Sequence, residues 1–316
     1  MKPRILVIRG GAIGDFILTL PAIRLLREAF PKAHLEILGY KHIVAIAEGR
    51  FYADATRSIE YAAMAGFFVP NSELAPDLAE YFASFQQIVS YLYDPSGYFE
   101  ANLRRAGAKQ ILRAFAPIDD SEHATRQLAR PLQSLALYLE DSAPVLHPTE
   151  EDRAFAREFL RGARGPLIAL HPGSGSAKKN WPIKRWLQVA NQLITSEWNP
   201  ELLLILGEAD EAHGAALQRG LAKREIVRVA RDLPLPRLAA VLAECALFLG
   251  HDSGISHLAA AAGTPSLVLF GPTDPAIWAP ANPHVTILEA PAADLARISV
   301  EEVVAAARAR LESPAA

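Results

Sequence analysis

The chain of 316 residues contains one cysteine, Cys245. A single thiol excludes an internal disulfide framework and a cysteine cage for a metal. Its setting, the apolar run 238–249, reads as core packing, and a reducing compartment fits it. No Asp-x-Asp pair occurs, so the motif with which many nucleotide-sugar enzymes hold a divalent cation is missing. No Gly-Lys-Ser or Gly-Lys-Thr occurs, which excludes a Walker phosphate loop. Long apolar runs are missing as well. Residues 5–8 form a run four residues long, too short for a signal-peptide core or a membrane span. The run 238–249 is interrupted by Glu244, so any membrane contact is expected to be peripheral. Nor is there an excess of one charge. Lys and Arg number 32 against 35 Asp and Glu, a formal net charge of -3, which provides no field for nucleic acid or an anionic bilayer.

What is present is globular composition, 51% hydrophobic and 21% charged. That is apolar enough for a sizeable core, and at roughly 100–200 residues per domain the length suits two domains. Residues 5–8 read as a buried strand. The turn Gly10-Gly11-Ala12-Ile13-Gly14-Asp15 follows, and then Phe16, Leu20, Ile23 and Leu26 recur at helical spacing up to Pro31. Residues 35–38 form the next strand, ended by Gly39. Strand, helix and strand with short connections make the βαβ unit of a parallel sheet. A strand at 87–93 and a helix at 97–106 continue the alternation. Residues 119–139 read as one longer helix with Ser121 as its N-cap. The stretch 140–149, with Pro144 and Pro148, reads as a linker. The pattern then restarts with a helix at 150–161. Strands at 167–170, 202–206, 226–229, 247–249 and 266–270 alternate with helices at 183–194, 211–221, 235–244 and 255–262, and a last helix spans 300–311. The expected fold is α/β, with two Rossmann-like α/β/α domains, 1–145 and 146–316, whose parallel sheets face an interdomain cleft. The helix 300–311 is a candidate to pack back on the first domain. Open parallel sheets bind ligands beyond the C-terminal ends of their strands, so the loops 9–15, 171–179, 207–211, 250–254 and 271–274 are the candidate site.

The chemistry of those loops is readable in part. The first fails the dinucleotide fingerprint because Arg9 stands where a glycine is required. Asp15 is then either a helix cap or a general base that takes a proton from an attacking hydroxyl. In the second, His171-Pro-Gly-Ser-Gly-Ser-Ala-Lys-Lys-Asn-Trp-Pro182, small residues expose backbone N–H groups. Ser174 and Ser176 add hydroxyls there, and Lys178 and Lys179 add positive charge. This is an anion cradle or a solvated glycine-rich turn. The third is acidic. Glu208 or Glu211 could accept from ribose hydroxyls, whereas Asp210 reads as a helix cap. The fourth, His251-Asp-Ser-Gly-Ile-Ser-His257, opens a helix whose first N–H groups suit a diphosphate. Asp252 would be repelled by that diphosphate, so it contacts sugar hydroxyls or fixes the loop. His257 either bonds a phosphate or packs in the core. Two histidines and Asp252 match no zinc spacing, and neither a metal site nor a cofactor is expected. Arg104, Arg105, Lys109 and Arg113, with Arg126 and Arg130 at i,i+4, form either a solvated basic surface or a face for an acidic lipid-linked saccharide.

Taken together, these stretches resemble glycosyltransferase family 9, the heptosyltransferases of lipopolysaccharide core synthesis. The likeness rests on Gly-Ala-Ile-Gly-Asp-Phe-Ile-Leu-Thr-Leu-Pro at 11–21, His-Pro-Gly-Ser followed by Lys-x-Trp-Pro at 171–182, His-Asp-Ser-Gly-Ile-Ser-His-Leu-Ala-Ala-Ala-Ala-Gly-Thr-Pro at 251–265 and Gly-Pro-Thr-Asp-Pro at 271–275. It spans nearly the whole chain in order. Two departures stand out: Gly10-Gly11 replaces a polar/small pair, and Ser253 stands where threonine is commoner. The resemblance implies a GT-B fold and an inverting, metal-independent transfer from a nucleotide sugar, ADP-heptose, to a saccharide or lipid-linked saccharide of the cell envelope. By the same resemblance Asp15 is the catalytic base and Lys179 the lysine on the donor phosphates. Ser174, Asp252, Ser253, Gly254, His257 and either Glu208 or Glu211 match donor-binding positions of the family, and Gly14, Gly175 and Ser176 are further donor-binding candidates. The basic residues Arg104 and Arg105 are the acceptor candidates. A cytoplasmic protein with peripheral contact at the inner membrane face is expected. The alternatives are a GT-B-like sugar-nucleotide epimerase and a noncatalytic nucleotide-sugar-binding protein.

Overall fold

The structure, a computed structural model, describes residues 2–207, 211–221 and 227–312, the backbone alone at 211–213. The chain divides into two compact units, Met1–Ser142 and Ala143–Ala316. The first unit runs β1 (Arg4–Arg9), α1 (Ile13–Ala29), β2 (His34–Gly39), a short α2 (Lys41–Val44), β3 (Ala55–Ser58), α3 (Pro76–Ala83), β4 (Gln87–Ser90), α4 (Tyr98–Arg105), β5 (Ile111–Arg113) and α5 (Ala124–Ala129). Its sheet has the order β3-β2-β1-β4-β5, with every pair parallel. β1 sits in the middle because Leu6, Val7 and Ile8 are apolar without alternation and are fully buried on both faces. Leu6, Ile8, Leu38, Phe67, Phe82 and Phe99 share one core. The chain winds from β1 outward to β3 and then crosses back to β4, so the order reverses between β1 and β4.

The second unit runs α6 (Glu150–Phe159), β6 (Leu167–Leu170), α7 (Ile183–Ile194), β7 (Glu201–Leu206), α8 (Glu211–Leu221), β8 (Val227–Arg231), α9 (Leu235–Ala243), β9 (Leu247–His251), α10 (Gly254–Ala261), β10 (Ser266–Phe270), α11 (Pro275–Trp278), β11 (Val285–Glu289) and α12 (Val300–Glu312). The sheet order is β11-β10-β9-β6-β7-β8, again all parallel. Counted within the unit, this is the doubly wound order of a dinucleotide fold, reversing between β6 and β9. Trp181, Trp186, Leu193, Leu204 and Leu249 lie in its core, and Val300, Val303, Val304 and Ala307 of α12 join that core from the outside. α12 packs on α7 and β9.

The one long helix expected over 119–139 does not form. α5 ends at Ala129 and a 3-10 segment, Arg130–Leu135, follows. Pro131 lies in that segment; it has no N–H to donate, and its ring crowds the preceding turn. The cap is also different: the His123 ring nitrogen Nδ1 accepts from the Thr125 N–H at 3.3 Å, whereas Ser121 sits outside the helix. The strand expected at 87–93 stops at Ser90. β3, β5 and β11 went unread because they are short, half-exposed edge or near-edge strands whose side chains do not form apolar runs. Among the described residues, no helix is long and apolar enough to cross a membrane.

Candidate functional site

In the first unit the strand order reverses where β1 hands over to α1, and the loop there is built around Gly11. Its φ is +100°, and a Cβ at this position would lie 2.8 Å from Asp15 Oδ2. Only glycine therefore permits the chain to pass this close to the carboxylate. Asp15, in the first turn of α1 beside Gly14, accepts from the Ala12 N–H through Oδ2 at 2.9 Å. Ala12 occupies the N-cap position and has no side-chain acceptor, so Asp15 satisfies an otherwise orphan donor. Arg9, at the end of β1, braces the same turn. Its Nε donates to Thr19 Oγ1 at 2.9 Å and its Nη2 to the Asp15 carbonyl at 3.2 Å. The guanidinium also stands 3.7 Å from Asp15 Oδ1. Burial lowers the pKa of Arg9 from its usual value, against the opposing pull of Asp15 and Tyr91. The Asp15 side chain remains 41% exposed, so the group both caps the helix and presents a carboxylate to solvent.

Arg104 and Arg105 lie in the last turn of α4, which joins β4 to β5. Arg104 pairs with Glu100 Oε1 at 2.8 Å, and Arg113 holds the other oxygen at 2.5 Å. Arg105 donates to Asn102 Oδ1 at 2.6 Å and to the Ser72 carbonyl at 3.0 Å. Both guanidinium groups have partners within their own unit.

In the second unit the loops after β6, β9 and β10 meet where the strand order reverses. Lys179, closing a 3-10 turn over Ala177–Lys179, donates from Nζ to Asp252 Oδ2 at 2.5 Å. Thr273 donates to the same oxygen at 2.7 Å. Of the two roles open to Asp252, the structure displays the second: it ties three loops together. Its side chain is 10% exposed and that of Lys179 is 30% exposed, so the lysine is the more accessible side chain of the pair. Ser253 caps α10, accepting from the Ser256 N–H at 3.3 Å, and its hydroxyl stands 3.5 Å from His171 Nδ1. Gly254 is the first helical residue, and His257 is buried in the first turn. The Ser174 hydroxyl is within 2.7 Å of Asn180 Oδ1 and 2.8 Å of the Ser176 carbonyl, so it braces the loop from inside. A Cβ on Gly175 would meet nothing within 4 Å; space there does not demand glycine. Glu208 lies outside the described residues. Glu211 opens α8, but its side chain lies outside them too.

Thr273 was within a strand-end loop singled out from the sequence, but nothing local marks it as the partner of Asp252. His251 is a larger omission. Its Nε2 accepts from the Trp181 N–H at 2.8 Å and from the Trp186 indole N–H at 3.3 Å. Among the described residues no group of three or more His, Cys, Asp or Glu could hold a metal ion. The arrangement offers an anion one preset ammonium, a ring of small-residue backbone and the positive end of a helix.

Comparison with known proteins agrees with this geometry. The model of glycosyltransferase family 9 (heptosyltransferase) matches residues 104–304, well over half of the chain. The chain belongs to this family. Lipopolysaccharide heptosyltransferase 1 of Pseudomonas aeruginosa is 27% identical over 300 residues, covering 86% of this chain and 79% of its own length. Lipooligosaccharide heptosyltransferase 2 of Haemophilus influenzae is 30% identical over 163 residues, and that match spans about half of each protein, 47% of this chain and 46% of the relative. Among solved structures, a family 9 glycosyltransferase from Veillonella parvula superposes with a TM-score of 0.79 at 22% identity over 98% of both chains. ADP-heptose lps heptosyltransferase II of E. coli gives 0.78 at 18% identity over 99% of both. Likeness at this level of identity establishes the fold, which is GT-B.

Proposed function

We propose that the protein is an inverting glycosyltransferase that moves heptose from ADP-heptose to a saccharide of the lipopolysaccharide core type. Family membership makes sugar transfer the reaction class. The observation that supports the donor side is the convergence of Lys179, Asp252, Ser253 and Gly254 where β6 and β9 part. In a doubly wound sheet that is where a nucleotide lies. The donor names attached to the relatives point to ADP-heptose.

The reaction is a direct displacement. An acceptor hydroxyl oxygen attacks the anomeric carbon of the donor, the bond from that carbon to the diphosphate oxygen breaks, and ADP leaves with the electron pair. Asp15 takes the hydroxyl proton. General-base help of this kind is worth about 10²–10⁴-fold in rate. The ammonium of Lys179 has three donors, so it can keep Asp252 and also meet a phosphate oxygen. With the first N–H groups of α10 it neutralises charge developing on the leaving diphosphate, each such donor contributing on the order of 2–4 kcal/mol. Ser174, Gly175 and Ser176 shape the loop around that charge, His257 supports the first turn of α10, and Glu208 or Glu211 meets the ribose. We place no metal in this mechanism, because lysine and the helix end carry the positive charge. The site of action on this reading is the cytoplasm, at the inner face of the membrane. The epimerase alternative needs no base for an acceptor, and the exposed carboxylate of Asp15 favours transfer over it.

The test is turnover of ADP-heptose with heptose-deficient lipopolysaccharide as acceptor. Asp15→Asn should lower turnover by about 10²–10⁴-fold while ADP affinity, measured by calorimetry with and without magnesium, stays at the wild-type value. A folded Asp15→Asn enzyme with normal turnover would rule out the base assignment. A preference for UDP or GDP over ADP would change the donor and keep the reaction class.

A further inference from the structure

We infer that His251 is a positioning residue for Lys179, acting as a neutral hydrogen-bond acceptor that sets the height of the lysine loop above the sheet. The inference rests on the proposed donor site and goes further, since it names the group that assembles it. His251 is the last residue of β9 and is fully buried. Its Nε2 accepts from the Trp181 N–H at 2.8 Å, which requires that this nitrogen carry no proton. The neighbouring residue, Asp252, holds Lys179 Nζ at 2.5 Å. Consecutive residues 251 and 252 thus grip positions 181 and 179, one through the main chain and the other through the side chain. The Ser256 hydroxyl donates to the His251 carbonyl, so the same residue also pins the first turn of α10. The lysine and the helix N-terminus, the two sources of positive potential in the site, are referred to one strand end.

Packing explains why the ring keeps this orientation. Trp186 meets His251 edge-on, with centroids 5.2 Å apart and planes at 70°. Trp181 meets Trp186 in the same way, at 5.0 Å and 82°. The Trp181 indole donates to the Ile298 carbonyl at 3.2 Å, so Trp181 cannot swing to find another acceptor for its main-chain N–H. Without Nε2 that buried N–H has no replacement, and the segment carrying Lys179 must shift to hydrate it.

The experiment is a double-mutant cycle read by ADP binding. His251→Phe keeps a ring of similar size and removes the acceptor; His251→Gln restores an acceptor oxygen near the position of Nε2. The Trp186 indole N–H also donates to Nε2, at 3.3 Å, so His251→Phe strands two buried donors; we expect it to weaken ADP binding by about tenfold or more, and His251→Gln to recover most of the loss. In a Lys179→Ala background, His251→Phe should cost less than about twofold more, because the two residues act as one unit. An equal loss in both backgrounds, or no loss in either, would overturn the inference. If His251→Phe does not fold, His251→Asn replaces it, since its shorter amide does not reach Trp181. Hydrogen exchange without ligand provides a second reading: the Trp181 amide should exchange faster in His251→Phe than in wild type or His251→Gln. If the wild type fails to bind ADP, the donor reading falls. The Trp181 amide then decides the role of His251, and unchanged exchange overturns it.

Discussion

Replacing Gly11 by alanine should damage the first unit in a way that replacing Gly10 does not. At Gly11 φ is +100°, and the new methyl would sit 2.8 Å from Asp15 Oδ2 and 3.2 Å from its Cβ. The backbone conformation alone costs an L-residue about 1–2 kcal/mol. The contact cannot be relieved unless the carboxylate leaves the Ala12 N–H, which forfeits a capping bond worth about 1 kcal/mol. Together these predict a loss of about 2–3 kcal/mol, or about 4–12 °C in melting temperature for a unit of this size. Turnover should fall further than stability, because a carboxylate displaced by about 1 Å can cost on the order of 10²-fold. At Gly10 the added methyl would meet only Leu92 Cδ2, at 3.2 Å. That is the end of a flexible side chain, and a cost under about 1.5 kcal/mol is expected. Thermal and urea unfolding, with turnover of ADP-heptose, measure both variants. Equal behaviour of the two alanine variants, in stability and rate alike, would refute the argument that Gly11 exists to seat Asp15.

Two further outcomes concern titration and reactivity. Burial, helped by Glu244, pushes the Cys245 thiol up to about 12, so the folded protein at pH 8 should resist a thiol reagent, and labelling should follow the unfolding curve; fast labelling of native protein would contradict the buried placement. Burial acts to raise the Glu100 pKa, but hydrogen bonds from Arg104 and Arg113 outweigh it and hold the carboxyl below its ordinary value. A depressed pKa stabilises the fold above the unfolded value of about 4.3 and loses that contribution as pH falls through the folded value. Glu100→Gln should therefore cost up to about 1 kcal/mol at pH 7 and progressively less below pH 4 in urea titrations. A difference independent of pH would show that the ion pairs contribute nothing.

The sequence by itself determined most of the layers. Central parallel strands are buried on both faces, so residues 5–8, 167–170 and 202–206 had to be unbroken apolar runs, and the helices between them carry a period near 3.6. It also located the loops proposed to carry the chemistry, since Gly11, Asp15, Lys179, Ser253 and Gly254 all follow a strand end and precede or open a helix. Edge strands such as β3 and β5 were illegible because a strand with one neighbour is half exposed and holds its shape by main-chain pairing, which leaves no side-chain signature. The tertiary structure alone decided the strand orders, hence the one place where each sheet parts. It also decided the partners. Lys179 and Asp252 stand 73 positions apart in sequence, and His251 and Trp181 stand 70 apart. Local pattern encodes burial and periodicity, whereas a hydrogen bond depends on where the folded chain brings one donor and one lone pair. For that reason His251 reads as one more histidine in the sequence and as the joint of the lysine loop in the fold.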